Sequence, residues 1–300
     1  MAEQNVYDNA EFFHNYCALR GKSDNYNDLL EQPALWSLLP PLAGRRVLDL
    51  GCGFGDACAR YADAGAAAVV GIDLSEKMIA RARRDHMRPQ VTYLCRSMAN
   101  LEGVAGPFDV VTSSLAVHYV ADFPALARAV AGRLTPGGCF VFSQEHPLTT
   151  APVADIAWQK DAAGQATAYL LSDYGRPGFR TEAWLGQRVE KYHRRFSDLV
   201  QALCAADLSV TAMEEPVPDA ETLARCPRME REFHKPSFLR IRAEKRDSKR
   251  GQLEKPRHRN RRRDFLLDGK RAGSPHRDRA PAAACRQWTN EVACFSLYIM

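Results

Sequence analysis

Two hydrophobic periods take turns along the first 145 residues. Tyr7, Phe12, Phe13, Tyr16 and Leu19 recur at helical spacing. Leu29, Leu30, Leu35, Leu38 and Leu39 predict a second helix, ended by Pro40-Pro41. Residues 1–44 therefore read as a helical cap. The pattern then changes. RRVLDLGC predicts a strand, and the stretch after Gly55 a helix. AAVVGIDL is a second strand, and SEKMIARARRDH a helix capped by Ser75. QVTYLC and FDVVTSS are strands three and four. FPALARAVAGRL is a helix with Phe123, Leu126, Val130 and Leu134 on one face. TPGG reads as a turn and CFVFSQE as a fifth strand.

Strands alternating with helices of this length imply an α/β fold, a parallel sheet wrapped on both faces in the Rossmann-like, doubly wound manner. Ligands in such sheets lie at the carboxyl ends of the strands. Residues just after each strand therefore matter most: Gly51–Gly55, Asp73–Leu74, Arg96–Ala99, Ser113–Tyr119 and Gln144–His146. Residues 147–193 break the rhythm with Trp158, Tyr169, Tyr174, Trp184 and several glycines. They read either as a lid or substrate-binding insertion, or as a flap over apolar surface. The α/β pattern returns with RFSDLVQALCAADL as a helix, then SVTAMEEPVP and PSFLRIRAEK as strands. With no helix predicted between them, these two strands are expected to pair antiparallel at the sheet edge.

Charge separates the chain into a body, 45–244 behind its cap, and a tail, 245–300. From Lys245 to Arg279 there are 14 Lys and Arg against 5 Asp and Glu. Residues 280–300 are neutral, so the first 244 residues carry a net −4 within the overall +5. The tail, with few apolar residues and no period, is expected to be disordered. It reads as inert solvated chain, as an arm contacting nucleic acid, or as sequence resembling an out-of-frame translation of GC-rich DNA. No run approaches the length of a membrane span, so no membrane partner is expected. The acidic N-terminus, MAEQNVYDNAEFF, lacks the features of a signal peptide. Nine scattered cysteines without a C-x-x-C pair read as reduced, mostly buried thiols of a cytoplasmic protein. No metal site is expected.

The glycine turn in VLDLGCGFGD carries the most chemistry. A dinucleotide fingerprint would place glycine at Gly51 plus five, where this chain has Asp56. A carboxylate in the first turn of the helix competes with a phosphate for that helix N-terminus, and Asp49 at the strand end adds to the repulsion. A ligand with an ammonium and a sulfonium but no phosphate reverses the sign of both objections. Asp73 ends the second strand twenty residues after Gly53, where an acid accepts ribose hydroxyls. It argues for a nucleoside without choosing the cofactor.

VLDLGCGFGD, GIDLSEKMIARAR, FDVVTSSLAVHYVADF and LTPGGCFVFS, in this order, resemble class I S-adenosylmethionine-dependent methyltransferases. The resemblance covers residues 40–145 by motif. It implies a seven-stranded, mostly parallel sheet with one antiparallel edge strand and S-adenosylmethionine as cofactor. It further implies that Asp49, Gly51, Cys52 and Gly53 hold the methionine part, and that Asp73 holds the ribose. Leu74 and Met78 would pack on the adenine, and Ser97, Met98 and Ala99 would lie at its edge where the family usually has Asp-Ala. Ser114 and Leu115 would face the methyl group. Tyr16 and Arg20 would either cover the cofactor or serve as ordinary helix surface and core.

Methyl transfer from a sulfonium needs alignment above all, and a base only where the acceptor carries a proton that must leave early. His118, Tyr119 and His146 are the candidate bases, with Tyr192 and His193 also placed to face the acceptor. A small-molecule acceptor is expected, because SSLAVHY stands where enzymes acting on nucleobase amino groups often carry an Asn/Asp-Pro-Pro-Tyr-like loop. The rivals are an RNA methyltransferase using the tail, a cofactor-binding protein without catalysis, and a nicotinamide-dependent oxidoreductase.

Overall fold

The computed structural model describes residues 3–153 and 158–246. The expected tail falls outside these residues, except for Lys245, the last residue of the final strand, and Arg246.

The helical cap begins with a short 3₁₀ turn, Val6–Asp8, and helix α1, Ala10–Arg20, whose N-cap Asn9 accepts the Phe12 N–H. The second expected helix is split. A wide π turn, Asn27–Glu31, precedes α2, Gln32–Ser37. Pro33 explains the split: it has no N–H for the carbonyl four residues back, and its ring crowds that carbonyl.

The body follows the alternation. Strand β1 (Arg46–Leu50) leads to α3 (Asp56–Asp63), β2 (Ala68–Asp73) to α4 (Glu76–Asp85), then come β3 (Val91–Cys95) and β4 (Phe108–Ser113), and α5 (Phe123–Arg133) leads to β5 (Leu134–Glu145). Ser75 caps α4 by accepting the Met78 N–H, as expected from SEKM. TPGG is absorbed into β5 as an irregularity: Phe108 pairs with Leu134, yet Val110 pairs with Cys139. The extra residues bulge out of the ladder, with Gly137 at φ +75°.

Residues 147–193 form the short helix α6 (Pro147–Thr150) and two hairpins, β6–β7 (Trp158–Lys160, Ala166–Tyr169) and β8–β9 (Gly178–Trp184, Gln187–His193). Helix α7 (Phe196–Ala205) and β10 (Leu208–Glu214) follow. The chain then departs from expectation: α8 (Ala220–Arg225) and a 3₁₀ segment, Pro227–Phe233, separate β10 from β11 (Phe238–Lys245). Asp219 caps α8 by accepting the Thr222 N–H. This connection packs on the N-terminal cap, where Cys226, Met229 and Phe238 bury Tyr26 and Leu30.

The main sheet has seven strands in the order β10-β11-β5-β4-β1-β2-β3. The antiparallel ladder at the edge is present, and the reversed strand is β11, paired with β10 outside and β5 inside. The strand order turns around at β1 and β4, so their carboxyl ends open a crevice. Core residues fill both faces. Leu48, Phe123, Phe140 and Leu203 lie on one side, and Val47, Tyr61, Val69 and Val141 on the other. Each such side chain stabilises the fold by roughly 1.5–3 kcal/mol. Among the described residues no helix is long and apolar enough to cross a membrane.

Candidate active site

A cavity of about 560 Å³ opens at the carboxyl ends of the strands. At its floor the glycine turn leaves β1. The Gly51 and Cys52 N–H groups both donate to the Ile72 carbonyl, which folds the turn tightly against β2. Gly51 sits at φ +73°, and a Cβ there would lie 2.5 Å from the Ala116 Cβ. Only glycine fits, and its backbone is left facing the cavity.

Asp49 is buried. It accepts the Thr112 hydroxyl at 2.7 Å and the Cys58 thiol at 3.4 Å. Burial pushes its carboxyl up to about 6. Asp73 accepts the Gly53 N–H at 3.0 Å and the Ser75 N–H at 2.9 Å, one on each oxygen. Each oxygen retains a lone pair for a hydroxyl. Burial also raises its pKa. Asp56 opens α3, half-exposed and 3.2 Å from His86 Nε2.

All fourteen residues expected to hold the cofactor border this cavity: Asp49, Gly51, Cys52, Gly53, Asp73, Leu74, Met78, Ser97, Met98, Ala99, Ser114, Leu115, Tyr16 and Arg20. Ser97 spends an acceptor locally on the Ala99 N–H. Arg20 is held by Asp28 at 3.1 Å. Tyr16 lies edge-on to Tyr7 and Trp184. Leu115 stands at φ +48°, unusual for a branched residue, and its N–H donates to the Ser143 hydroxyl.

The two candidate histidines part company. His118 borders the cavity, almost fully buried. Its Nδ1 accepts the Glu145 N–H, while its Nε2 has no hydrogen-bond partner among the described residues. Burial, then the charges of Lys191 and Arg194, hold its pKa well below the usual range. His146 does not border the cavity. It is buried, capping α6 through the Leu148 N–H and paired with Glu215 at 2.8 Å. Its place after β5 is spent on capping α6. His193 is likewise committed, to Thr150 and the Tyr174 carbonyl.

Phe179 and Glu190 of the β8–β9 hairpin border the cavity and lie outside the sequence reading. Trp184 and Tyr192 join them there, and the N-terminal strap, residues 3–8, supplies Tyr7. Gln4 ties strap to hairpin, donating to the Arg188 carbonyl and accepting the Glu190 N–H. Lys191 holds Glu145 with contacts of 2.7 and 2.8 Å and also bonds Glu182. Arg194, buried and held down to about 10 by that burial, donates to the carbonyls of Val117, Val120 and Ala121. It thereby fixes the loop carrying His118 and Tyr119. Lys191 shares the buried alternate positions of VEKYHRR with Val189 and His193, but no local rule says which element it braces.

Residues 47–138 match a methyltransferase domain family. The chain is 38% identical to a crystal structure of an S-adenosylmethionine-dependent methyltransferase from Mesorhizobium loti, covering 75% of this chain and 99% of that one at a TM-score of 0.68. The chain belongs to the S-adenosylmethionine-dependent methyltransferases. A Haemophilus influenzae protein of uncharacterized function is 38% identical over 80% of this chain and 96% of its own length. A ubiquinone biosynthesis O-methyltransferase from Bordetella avium is 40% identical, but over only 34% of this chain and 43% of its own. The cofactor of this methyltransferase is S-adenosylmethionine, and the cavity chemistry fits it. The bordering carboxylates suit a ligand with two cationic centres and oppose a pyrophosphate. Gly51 leaves the close approach that a side chain would fill.

Proposed function

We propose that this methyltransferase acts on a small acceptor that carries no negative charge. The carrying observation is the charge of the cavity border. Among the described residues it holds seven carboxylates, Glu3, Asp49, Asp56, Asp73, Asp122, Glu145 and Glu190, against one guanidinium, Arg20. Asp49, Asp56 and Asp73 belong to the cofactor end. The other four lie on the rest of the border with Tyr119, Phe179, Trp184 and Tyr192; Glu145 is neutralised by Lys191, which leaves Glu3, Asp122 and Glu190 to set the sign there. An anionic acceptor would meet like charge there, and aromatic faces beside carboxylates favour neutral rings or cations. The same sign argument opposes RNA, whose phosphates need Lys and Arg.

Bound in the cavity, S-adenosylmethionine supplies a methyl group already activated on a sulfonium. The chain's task is alignment and exclusion of water. Asp73 holds the ribose hydroxyls, and the Gly51–Gly53 backbone with Asp49 holds the methionine end. Ser114 and Leu115 form the wall toward the acceptor. The strap and the β8–β9 hairpin roof the acceptor end and act as the lid. His118 keeps its proton on Nε2, because Nδ1 already accepts the Glu145 N–H, and it stays neutral. It therefore has no free ring lone pair with which to take a proton from the acceptor, and its buried Nε2 lies 3.8 Å from Glu145 Oε1.

Formation of S-adenosylhomocysteine over a panel of small phenols, amines, carboxylates and phosphate esters tests the reading. Turnover confined to neutral or cationic members is expected. Turnover confined to carboxylates, phosphates or RNA would overturn it.

A further inference from the structure

The wall toward the methyl group rests on a residue outside the cavity. Glu31 ends the π turn and is fully buried. Its carboxylate accepts the Ser114 hydroxyl at 3.0 and 3.1 Å, the Gln32 side-chain N–H at 2.8 Å, and the Ser143 hydroxyl. Ser143 in turn accepts the Leu115 N–H at 3.0 Å, which holds that residue in its left-handed conformation. Glu31 thus holds both residues of the Ser114-Leu115 turn. Among the described residues no Lys or Arg forms an ion pair with it. Burial raises its pKa against the hydrogen bonds from Ser143, Ser114 and Gln32, and Arg20, itself paired with Asp28, acts on it only at a distance.

A buried carboxylate supported by hydroxyls and an amide retains most of its field. Ser114 separates that field from the cavity by a single hydrogen bond. We infer that Glu31 is a positioning residue whose buried charge, acting through Ser114, makes the site favour the sulfonium of S-adenosylmethionine over the neutral sulfur of S-adenosylhomocysteine. The inference rests on the methionine end lying at the carboxyl ends of β1 and β4. Its consequence is directional. Transfer breaks the sulfur–methyl bond, forms the acceptor–methyl bond and returns the bonding pair to sulfur, so the positive charge facing Glu31 disappears. The product then loses the attraction that held the substrate.

The test is the ratio of the two dissociation constants by calorimetry, for the wild type and for Glu31→Gln, Glu31→Met and Glu31→Asp. Wild-type protein should prefer S-adenosylmethionine. Gln and Met, each close to Glu in volume, should cut that preference about tenfold, as expected for a charge a few ångströms behind the wall at protein-like dielectric. Asp, which keeps the charge, should restore it. Met serves as the neutral variant if Gln does not fold, since buried charges often yield to apolar residues of similar size. If the neutral variants weaken both ligands equally, Glu31 is only structural and the inference is overturned, while the cofactor placement stands. If wild-type protein binds neither ligand, the placement itself falls, and the inference with it.

Discussion

The two ends of the cavity are built in opposite ways. The cofactor end is local. Asp49, Gly51, Cys52 and Gly53 lie within five residues of each other, and Asp73 ends the adjacent strand. The acceptor end is assembled from distant pieces: the strap near Tyr7, the loop at His118 and Tyr119, Glu145 at the end of β5, and Tyr192 on a hairpin. Short-range geometry such as a positive-φ turn needs particular residues at fixed spacing, so it writes a motif. A surface made by packing separate elements needs only compatible shapes and charges, so it does not. This difference means that substitutions at the two ends should fail differently.

The largest effect should come from Gly51→Ala. Its Cβ would drive into Ala116 while forcing alanine to a positive φ, so affinity for S-adenosylhomocysteine should fall about 100-fold or more by calorimetry. Asp73→Ala comes next. It removes the ribose acceptor and frees the Gly53 and Ser75 N–H groups, for a loss of about 30-fold. Affinity unchanged in that variant would sink the ribose placement.

Asp49 predicts opposite changes in binding and stability. In the folded apo-protein its carboxyl titrates near 6, above its ordinary value. The folded state therefore holds a proton that the unfolded chain releases, and stability falls as pH rises through about 4 to 6. Asp49→Asn should raise the melting temperature at pH 7.5 by removing a penalty of up to about 3 kcal/mol. The same variant should bind S-adenosylmethionine about tenfold more weakly, because it lacks the charge facing the cationic ligand. In the wild type that affinity should weaken below about pH 6, and calorimetry across pH 5 to 8 checks the sign.

At the acceptor end, Trp184→Ala removes edge contacts with Phe12 and Tyr16. It should change cofactor affinity by only about threefold while making the β8–β9 hairpin more sensitive to limited proteolysis. A loss as large as that of Asp73→Ala would erase the distinction between the two ends. The smallest effect belongs to a chain ending at Arg246, whose N–H still closes on the Asp207 carbonyl. Its cofactor affinity should equal that of the full chain.

The histidines show how far reading along the chain can reach. His118 and His146 follow adjacent strands on the ligand side of the sheet, and one-dimensional spacing treats them alike. Packing separates them. The His118 loop is drawn over the cavity by Arg194, whereas His146 turns inward to cap α6 and meet Glu215. Glu31 is the converse case. It lies four residues before Leu35, so a carboxylate on the apolar face of the lead-in was visible, but its partners Ser114 and Ser143 lie 83 and 112 residues away.

The sequence by itself determined the α/β alternation, the glycine turn and the acid that ends the second strand. Each depends on a period, a spacing or a residue type within one or two adjoining elements. Only the tertiary structure decided which histidine borders the cavity, which hairpin closes over it, and which buried carboxylate stands behind the Ser114-Leu115 turn. Those features come from contacts between segments brought together by the sheet order, and a side chain's field and burial exist only once those segments meet.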